Sequence, residues 1–289
     1  MNFNIKEAFL IFVRGILMGS ADIVPGVSGG TIALITGIYA HLVEAISNIN
    51  FGFVKPLFKG DFHGFWSKLL EEIDFKFFIP LILGIGVAFL TLAKLVTYCM
   101  DYHTALTYSF FLGLIIASAV ILFKNLGKIN IKYFICAVVG FILTYLFVSI
   151  NPIAANHSLL IIFFSGMIAI CAMILPGISG SFLLLILGQY KYMLNALHQL
   201  HFSEIITFVV GALIGILGFS KILNYLLKNH EQVTMAVLIG VMLGSLRVPG
   251  VEIVKSVSLN LQGVLPCIIV AVIGFVLIIV LETRFDYIE

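Results

Sequence analysis

Charge is scarce in this chain. Of its 289 residues only 10% are Asp, Glu, Lys or Arg, and 61% are hydrophobic. Soluble domains carry roughly 25% charged residues. A water-soluble fold of this length could not cover its surface with so few, so the bilayer must be the solvent for most of it. Cysteine is sparse too. Cys99, Cys136, Cys171 and Cys267 lie far apart in apolar segments and form no CxxC pair, so they read as small packing residues. No basic run is interleaved with aromatics, and a net charge of +2 gives no case for nucleic acid. His198 and His201 stand three residues apart with no third ligand nearby, so no metal site is expected, and no cofactor is implied. The first apolar run carries Arg14 and Asp22 and lacks a small-residue cleavage site. It is expected to be retained rather than removed as a signal peptide.

What is present is a series of apolar runs. The first, 5–21, ends in Gly19-Ser20-Ala21-Asp22 and is followed by Pro25-Gly26-Val27-Ser28-Gly29-Gly30-Thr31 and a second run, 32–46. Each is short for a full crossing, and the Pro-Gly cluster breaks any continuous helix. Residues 49–76 hold four lysines, four acids and the single Trp66. They read as an aqueous loop with an amphipathic interfacial helix. Spans are predicted at about 77–100, 104–123 and 132–150. After the uncharged turn 151–157 the pattern starts again: an apolar run 158–175, the break Pro176-Gly177-Ile178-Ser179-Gly180-Ser181, an apolar run 182–197, and spans near 204–227, 232–247 and 263–282.

The chain repeats itself. Residues 15–39 align without gaps on 166–190, matching Pro25/Pro176, Gly26/Gly177, Ser28/Ser179, Gly29/Gly180, Gly37/Gly188 and Tyr39/Tyr190. Residues 84–118 align on 211–245, matching Lys94/Lys221, Tyr98/Tyr225, His103/His230, Gly113/Gly240 and Ser118/Ser245. The offset falls from 151 to 127 residues, a difference close to the length of the charged segment 49–76. Apolar sequences align easily by chance, but matched Pro, Lys, Tyr and His do not. The expected architecture is an all-α integral membrane protein of two repeats, 1–150 and 151–289, each with a broken, re-entrant hairpin plus three transmembrane helices. An odd number of crossings per repeat inverts the second against the first. With both termini cytoplasmic, ten Lys and Arg fall inside and three (Lys191, Arg247, Lys255) outside, as the positive-inside rule requires. The inversion also holds if the short runs cross fully, so the number of spans stays open.

Broken helices at bilayer depth leave backbone groups unpaired, which is tolerated where they line a cavity or bind something. Gly26, Gly29 and Gly30 allow open backbone conformations. A helix starting after Ser28 would aim its N–H groups into such a cavity, and two breaks related by inversion would meet near the midplane. The expected ligand is an anionic head group held by Ser28, Gly29, Gly30 and Thr31 with Gly177, Ser179, Gly180 and Ser181. The bland reading is that Pro and Gly merely kink two helices. Lys94 and Lys221 are matched cations in apolar segments, each sharing a helix face with a tyrosine (Tyr98, Tyr225), and are candidates to flank the anion; snorkelling is the alternative. Tyr39 and Tyr190 are supporting candidates. Arg14 is a candidate bidentate phosphate ligand, or it snorkels or pairs with Asp22. Asp22 has no mate, since Met173 occupies its place. It is a candidate proton- or ion-coupling group, or a helix cap.

The segment from Gly19 to Leu34, continuing through Gly37-Ile38-Tyr39, resembles the signature of the bacterial polyprenyl-phosphate (undecaprenyl-phosphate) translocase family, once catalogued only as a domain of unknown function. The resemblance spans essentially the whole chain and includes Leu175-Pro176-Gly177-Ile178-Ser179-Gly180-Ser181, with Ser181 where the first motif has Gly30. It implies a flippase in the bacterial cytoplasmic membrane that returns the lipid carrier of envelope polymers to the inner leaflet. Its partners would be polyprenyl phosphate and membrane lipids. Residue chemistry alone reaches an anion-handling inverted-repeat transporter. The competing readings are a secondary transporter of a small anion and a membrane phosphatase acting on polyprenyl diphosphate. The latter needs a nucleophile with its base, or clustered carboxylates for metal. The acids and histidines of the apolar segments do not cluster in the sequence, so a non-enzyme is expected.

Overall fold

The computed structural model describes residues 5–24, 27–126, 130–150, 156–258 and 260–285, and among them every regular element is helical. Helix α1 (Ile5–Asp22) leads to the short helices α2 (Gly29–Ile35) and α3 (Tyr39–Ser47). These two meet at 116°. Gly37 between them takes φ +77°, a left-handed value open to glycine at no steric cost. The charged segment forms α4 (Val54–Leu57) and α5 (Phe62–Glu72). Helix α5 buries no residue, and the Asp61 carboxylate caps it by accepting the Gly64 N–H at 2.8 Å. After a 68° bend the chain continues as α6 (Phe75–Thr91) and α7 (Ala93–Tyr102), then α8 (Thr104–Asn125) and α9 (Ile131–Phe147).

The second half begins with α10 (Leu159–Ile174), followed by α11 (Gly180–Ile186) and α12 (Tyr190–His198), with Gly188 at φ +66° between the last two. Then come α13 (Phe202–Asn229), α14 (Glu231–Ser245), α15 (Arg247–Ser256) and α16 (Leu261–Phe285). Four helices among the described residues are long and apolar enough to cross a bilayer, or six if each bent pair counts as one span. The chain is a multi-pass helical membrane protein. Helix α15 departs from expectation, which left 248–262 as a connection. Pro249 sits in its first turn, where a missing N–H is tolerated, so the helix forms and packs on α8.

Four helix pairs carry the packing: α1 with α6, α10 with α13, α8 with α16 and α9 with α14. Glycine permits each close approach. A Cβ on Gly15 would overlap the Leu81 carbonyl, and one on Gly84 the Phe12 carbonyl. The second half does the same with Gly166 against Phe208 and Gly211 against Phe163. Without a hydrophobic drive between helices in lipid, such small-residue contact is what holds them. The registers advance together: Gly15 lies beside Leu81 and Gly84, Gly19 beside Ile85 and Ala88. Helices α1 and α6 therefore run parallel, and so by the same test do α10 and α13. Between α1 and α6 the chain has returned to the side from which it set out.

The remaining pairs join the two halves, through Gly113 against Ala271 and Gly240 against Ala137. The corners also match. His103 and His230 cap the junctions α7–α8 and α13–α14 with φ −134° and −139°. Each ring stands edge-on to its tyrosine, Tyr98 or Tyr225, at 6.4 Å. The Thr107 and Thr234 hydroxyls donate back across the corner to the Cys99 and Leu226 carbonyls, at 2.9 and 3.2 Å. The buried core gathers on α2 and α3 and extends to Ile115 of α8 and Leu238 and Met242 of α14.

Candidate functional site

The two breaks touch. Ser28 is the N-cap of α2; its Oγ accepts the Gly30 N–H at 3.2 Å and donates to the Leu175 carbonyl at 3.1 Å. In return the Gly177 N–H donates to Thr31 Oγ1 at 2.8 Å. Gly177 is left-handed, at φ +88°. Gly30 lies so close to α10 that a Cβ would stand 2.8 Å from the Ile174 carbonyl oxygen. Asp22, at the end of α1, accepts the Gly29 N–H at 2.6 Å. Ser28, Gly29, Gly30 and Thr31 are all buried. The first break is thus closed, its leading N–H groups taken by its own side chains.

The second break is open. Ser179 makes no capping bond; its hydroxyl pairs with that of Ser181 at 2.8 Å. Met173 stands where the first half has Asp22, and it is 44% exposed. Ser179, Gly180 and Ser181 line a cavity of about 560 Å³ together with Asp22, Tyr190 and the wall residue Phe89. The remaining wall is apolar and comes mainly from α6, α10 and α13, with Ile23, Ala93 of α7 and Leu184 of α11. One carboxylate, two aliphatic hydroxyls and a phenol therefore meet in an apolar chamber. Gly15, Met18, Ala33 and Tyr39, the repeat mates of Gly166, Ala169, Leu184 and Tyr190, are buried instead. The Tyr39 hydroxyl is buried there with no hydrogen-bond partner among the described residues, a cost of about 1–3 kcal/mol.

Several expectations need revision. Gly29 and Gly30 are helical, with no unusual φ; they are glycine because Asp22 and α10 lie against them. Gly26, with Pro25, lies outside the described residues. The N–H groups at the start of α2 are used by Asp22 and Ser28 rather than presented to a cavity. Lys94 and Lys221 are not part of the chamber wall, although Ala93, next to Lys94, is. Both lysines are exposed, and Lys221 Nζ donates to Asn50 Oδ1. Tyr98 and Tyr225 are exposed beside their histidines, outside the cavity wall. Arg14 is half-buried on α1 and is likewise not part of that wall. The wall residues Phe89, Ala93, Phe208 and Ala212 carry no signal in the sequence beyond apolarity. No group of three His, Cys, Asp or Glu able to hold a metal occurs among the described residues.

Helices broken at a shared point, beside a chamber with polar groups in apolar walls, define a membrane transport protein in architecture. Residues 18–263 match the model of the Undecaprenyl phosphate translocase-like family, and the chain belongs to that family. It is 39% identical over 235 residues to a polyprenyl-phosphate transporter of Vibrio cholerae serotype O1, covering 81% of this chain and 75% of that one. It is 32% identical over 282 residues to a polyprenyl-phosphate transporter of Staphylococcus aureus, covering 91% of this chain and 92% of the relative. No solved structure matches.

Proposed function

We propose that this chain moves polyprenyl phosphate between the leaflets of the bacterial cytoplasmic membrane by alternating access, recycling the lipid carrier of envelope polymer synthesis. The relatives' names and the family supply the substrate. The observation that carries the reading on this chain is the open second break. Its hydroxyls sit at the head of an apolar chamber, as a phosphate on a long hydrocarbon tail requires. In this reading Ser179, Ser181 and Tyr190 donate to the phosphate oxygens. Asp22 on the same wall would repel a phosphate unless protonated, which makes it the candidate coupling acid. Arg14, Lys94 and Lys221 lie off the wall and would serve capture or release rather than the bound state.

The halves are read as inverted repeats. The parallel pairs α1–α6 and α10–α13, the reversals at His103 and His230, and the parallel pairing of α9 with α14 favour α1 and α10 running in opposite directions. The excess of Lys and Arg on one side favours cytoplasmic termini. A phosphatase is disfavoured because the chamber wall holds one carboxylate and no histidine, leaving its serines without a base.

The test is reconstitution. Purified protein in vesicles loaded with polyprenyl phosphate on one leaflet should speed its appearance on the other, compared with empty vesicles. No acceleration by folded protein, or uptake of a soluble anion in its place, would refute the proposal.

A further inference from the structure

Helices α3 and α13 are joined by a ladder of polar side chains. Glu44 binds Lys228 at 2.6 Å, the Asn224 side chain donates to Ser47 Oγ at 2.8 Å, and Lys221 donates to Asn50. Glu44, Ser47 and Asn50 climb one face in steps of three; Lys228, Asn224 and Lys221 descend the other in steps of four and three. Three consecutive polar rungs between helices otherwise packed through apolar residues are a specific clasp.

The repeat gives this ladder a counterpart. Continued past residue 39 at the same offset of 151, the first block places Glu44, Ser47 and Asn50 on Asn195, His198 and His201, and the second block places Lys221, Asn224 and Lys228 on Lys94, Thr97 and Asp101. All six are polar. Lys94, Thr97 and Asp101 share a face of α7, while Asn195 and His198 belong to α12 and His201 lies just beyond it, at the N-cap of α13. Asp101 would meet Asn195 and Lys94 would meet His201. In this structure no hydrogen bond is seen between those rungs among the described residues, His201 Nδ1 stands 4.0 Å from Glu204 of its own segment, and α7 and α12 do not pack as α3 and α13 do. Between them lies the chamber, whose wall takes in Ala93 and Tyr190, the first residues of α7 and α12. The chamber of Ser179 and Ser181 lies on the side whose ladder is unmade, while Glu44 of the made ladder borders a separate cavity of about 430 Å³ lined also by Leu70 and Asp74. Tyr39, at the start of α3, is the buried mate of the chamber's Tyr190, and its hydroxyl has no hydrogen-bond partner among the described residues.

We propose that the two ladders are the gates of the transporter, made in alternation, and that Lys94, Thr97, Asp101, Asn195 and His201 form the gate that is open here. The proposal rests on the alternating-access reading above. It recasts the matched lysines as rungs of opposite gates.

Cysteine pairs test it, in a background with the four native cysteines replaced. Ser47→Cys with Asn224→Cys reports the made ladder; Asp101→Cys with Asn195→Cys reports the unmade one, with Lys94→Cys and His201→Cys as a second pair should the first not fold. In vesicles containing polyprenyl phosphate, both ladders should cross-link under a mild oxidant. Each link should abolish lipid transfer, and reduction should restore it. If the folded α7–α12 pairs never link while the cysteine-free parent transports, or if linking either ladder leaves transport intact, the gates are not these residues. Should the parent itself fail to move the lipid, the substrate assignment is what falls; formation or absence of the α7–α12 link still decides the gate.

Discussion

The two Pro-Gly-x-Ser-Gly breaks share a sequence pattern and differ in state. At the first, Ser28, Thr31 and Asp22 are spent on the protein itself, and Gly15, Met18, Ala33 and Tyr39 are buried where their mates line the chamber. At the second, Ser179 and Ser181 turn to each other at the edge of a chamber, and Met173 leaves uncapped what Asp22 caps in its counterpart. One motif therefore serves two purposes. The first holds the centre together, and the second is left free to meet a ligand. The difference has two sources, a conformation that gates could exchange and substitutions that nothing exchanges (Asp22 for Met173, Gly30 for Ser181, Thr31 for Phe182).

Mutations at matched positions separate these sources. The largest contrast is expected at Gly30 and Ser181. Gly30→Val drives a side chain into the Ile174 carbonyl and should cost about 1–3 kcal/mol of stability as an overpacked site, with transport lost. Ser181→Gly, the opposite exchange, should leave melting unchanged and weaken only lipid binding. Equal thermal destabilisation of the two would erase the distinction between a structural and a ligand-facing break.

Asp22 comes next. Asp22→Ala removes the cap on Gly29 and should lower stability by about 0.5–2 kcal/mol. Asp22→Asn keeps an acceptor for that N–H, so it should melt like the parent. If Asp22 couples transport to protons, the Asn variant should transport at a rate that no longer responds to a pH gradient across the vesicle. A response identical to the parent's would leave Asp22 as a cap alone.

A smaller effect separates the serines. Ser179→Ala with Ser181→Ala should weaken polyprenyl phosphate binding by about three- to tenfold per hydroxyl, at roughly 1 kcal/mol each, with melting unaltered. Ser28→Ala should do the reverse, lowering the melting temperature through its lost bond to Leu175 while binding per folded molecule stays the same. The smallest is expected of Lys221→Gln against Lys94→Gln. Lys221 holds one exposed rung, so its loss should cost about 0–1 kcal/mol; Lys94→Gln should leave melting untouched. Calorimetry in detergent would show whether the first exceeds the second.

Much of this was legible in the sequence. Scarce charge and recurrent apolar runs gave the class, and matched Pro, His and Tyr gave the repeat. The run before each break became one helix, α1 or α10, while the run after it, expected as one piece, divides at Gly37 or Gly188 into two short helices, α2–α3 and α11–α12. The glycines misled, because a glycine needed for close approach and one needed for a left-handed turn look alike in sequence. Gly29 and Gly30 are the former, Gly37 and Gly177 the latter. The lysines misled for a related reason. Symmetry announced that Lys94 and Lys221 matter together, but nothing in one dimension says that Lys221 faces Asn50, 171 residues earlier in the chain. That the chamber lies beside the second break is a property of a conformation, which no composition records.

The crossings of α8 with α16 and of α9 with α14 bear on how the molecule is made. Gly113 and Gly140 are covered by Ala271 and Val237, which leave the ribosome more than ninety residues later. Until then α8 and α9 stand in lipid with their grooved faces bare, and the nascent first half is an assembly waiting for its other part. On the inverted-repeat reading proposed above, a gene encoding only one half would make a product with no mate for these grooves unless a second copy inserted upside down beside it. An ancestor of that kind, a single short chain inserting both ways and pairing with itself, would carry the same glycines for the same contacts.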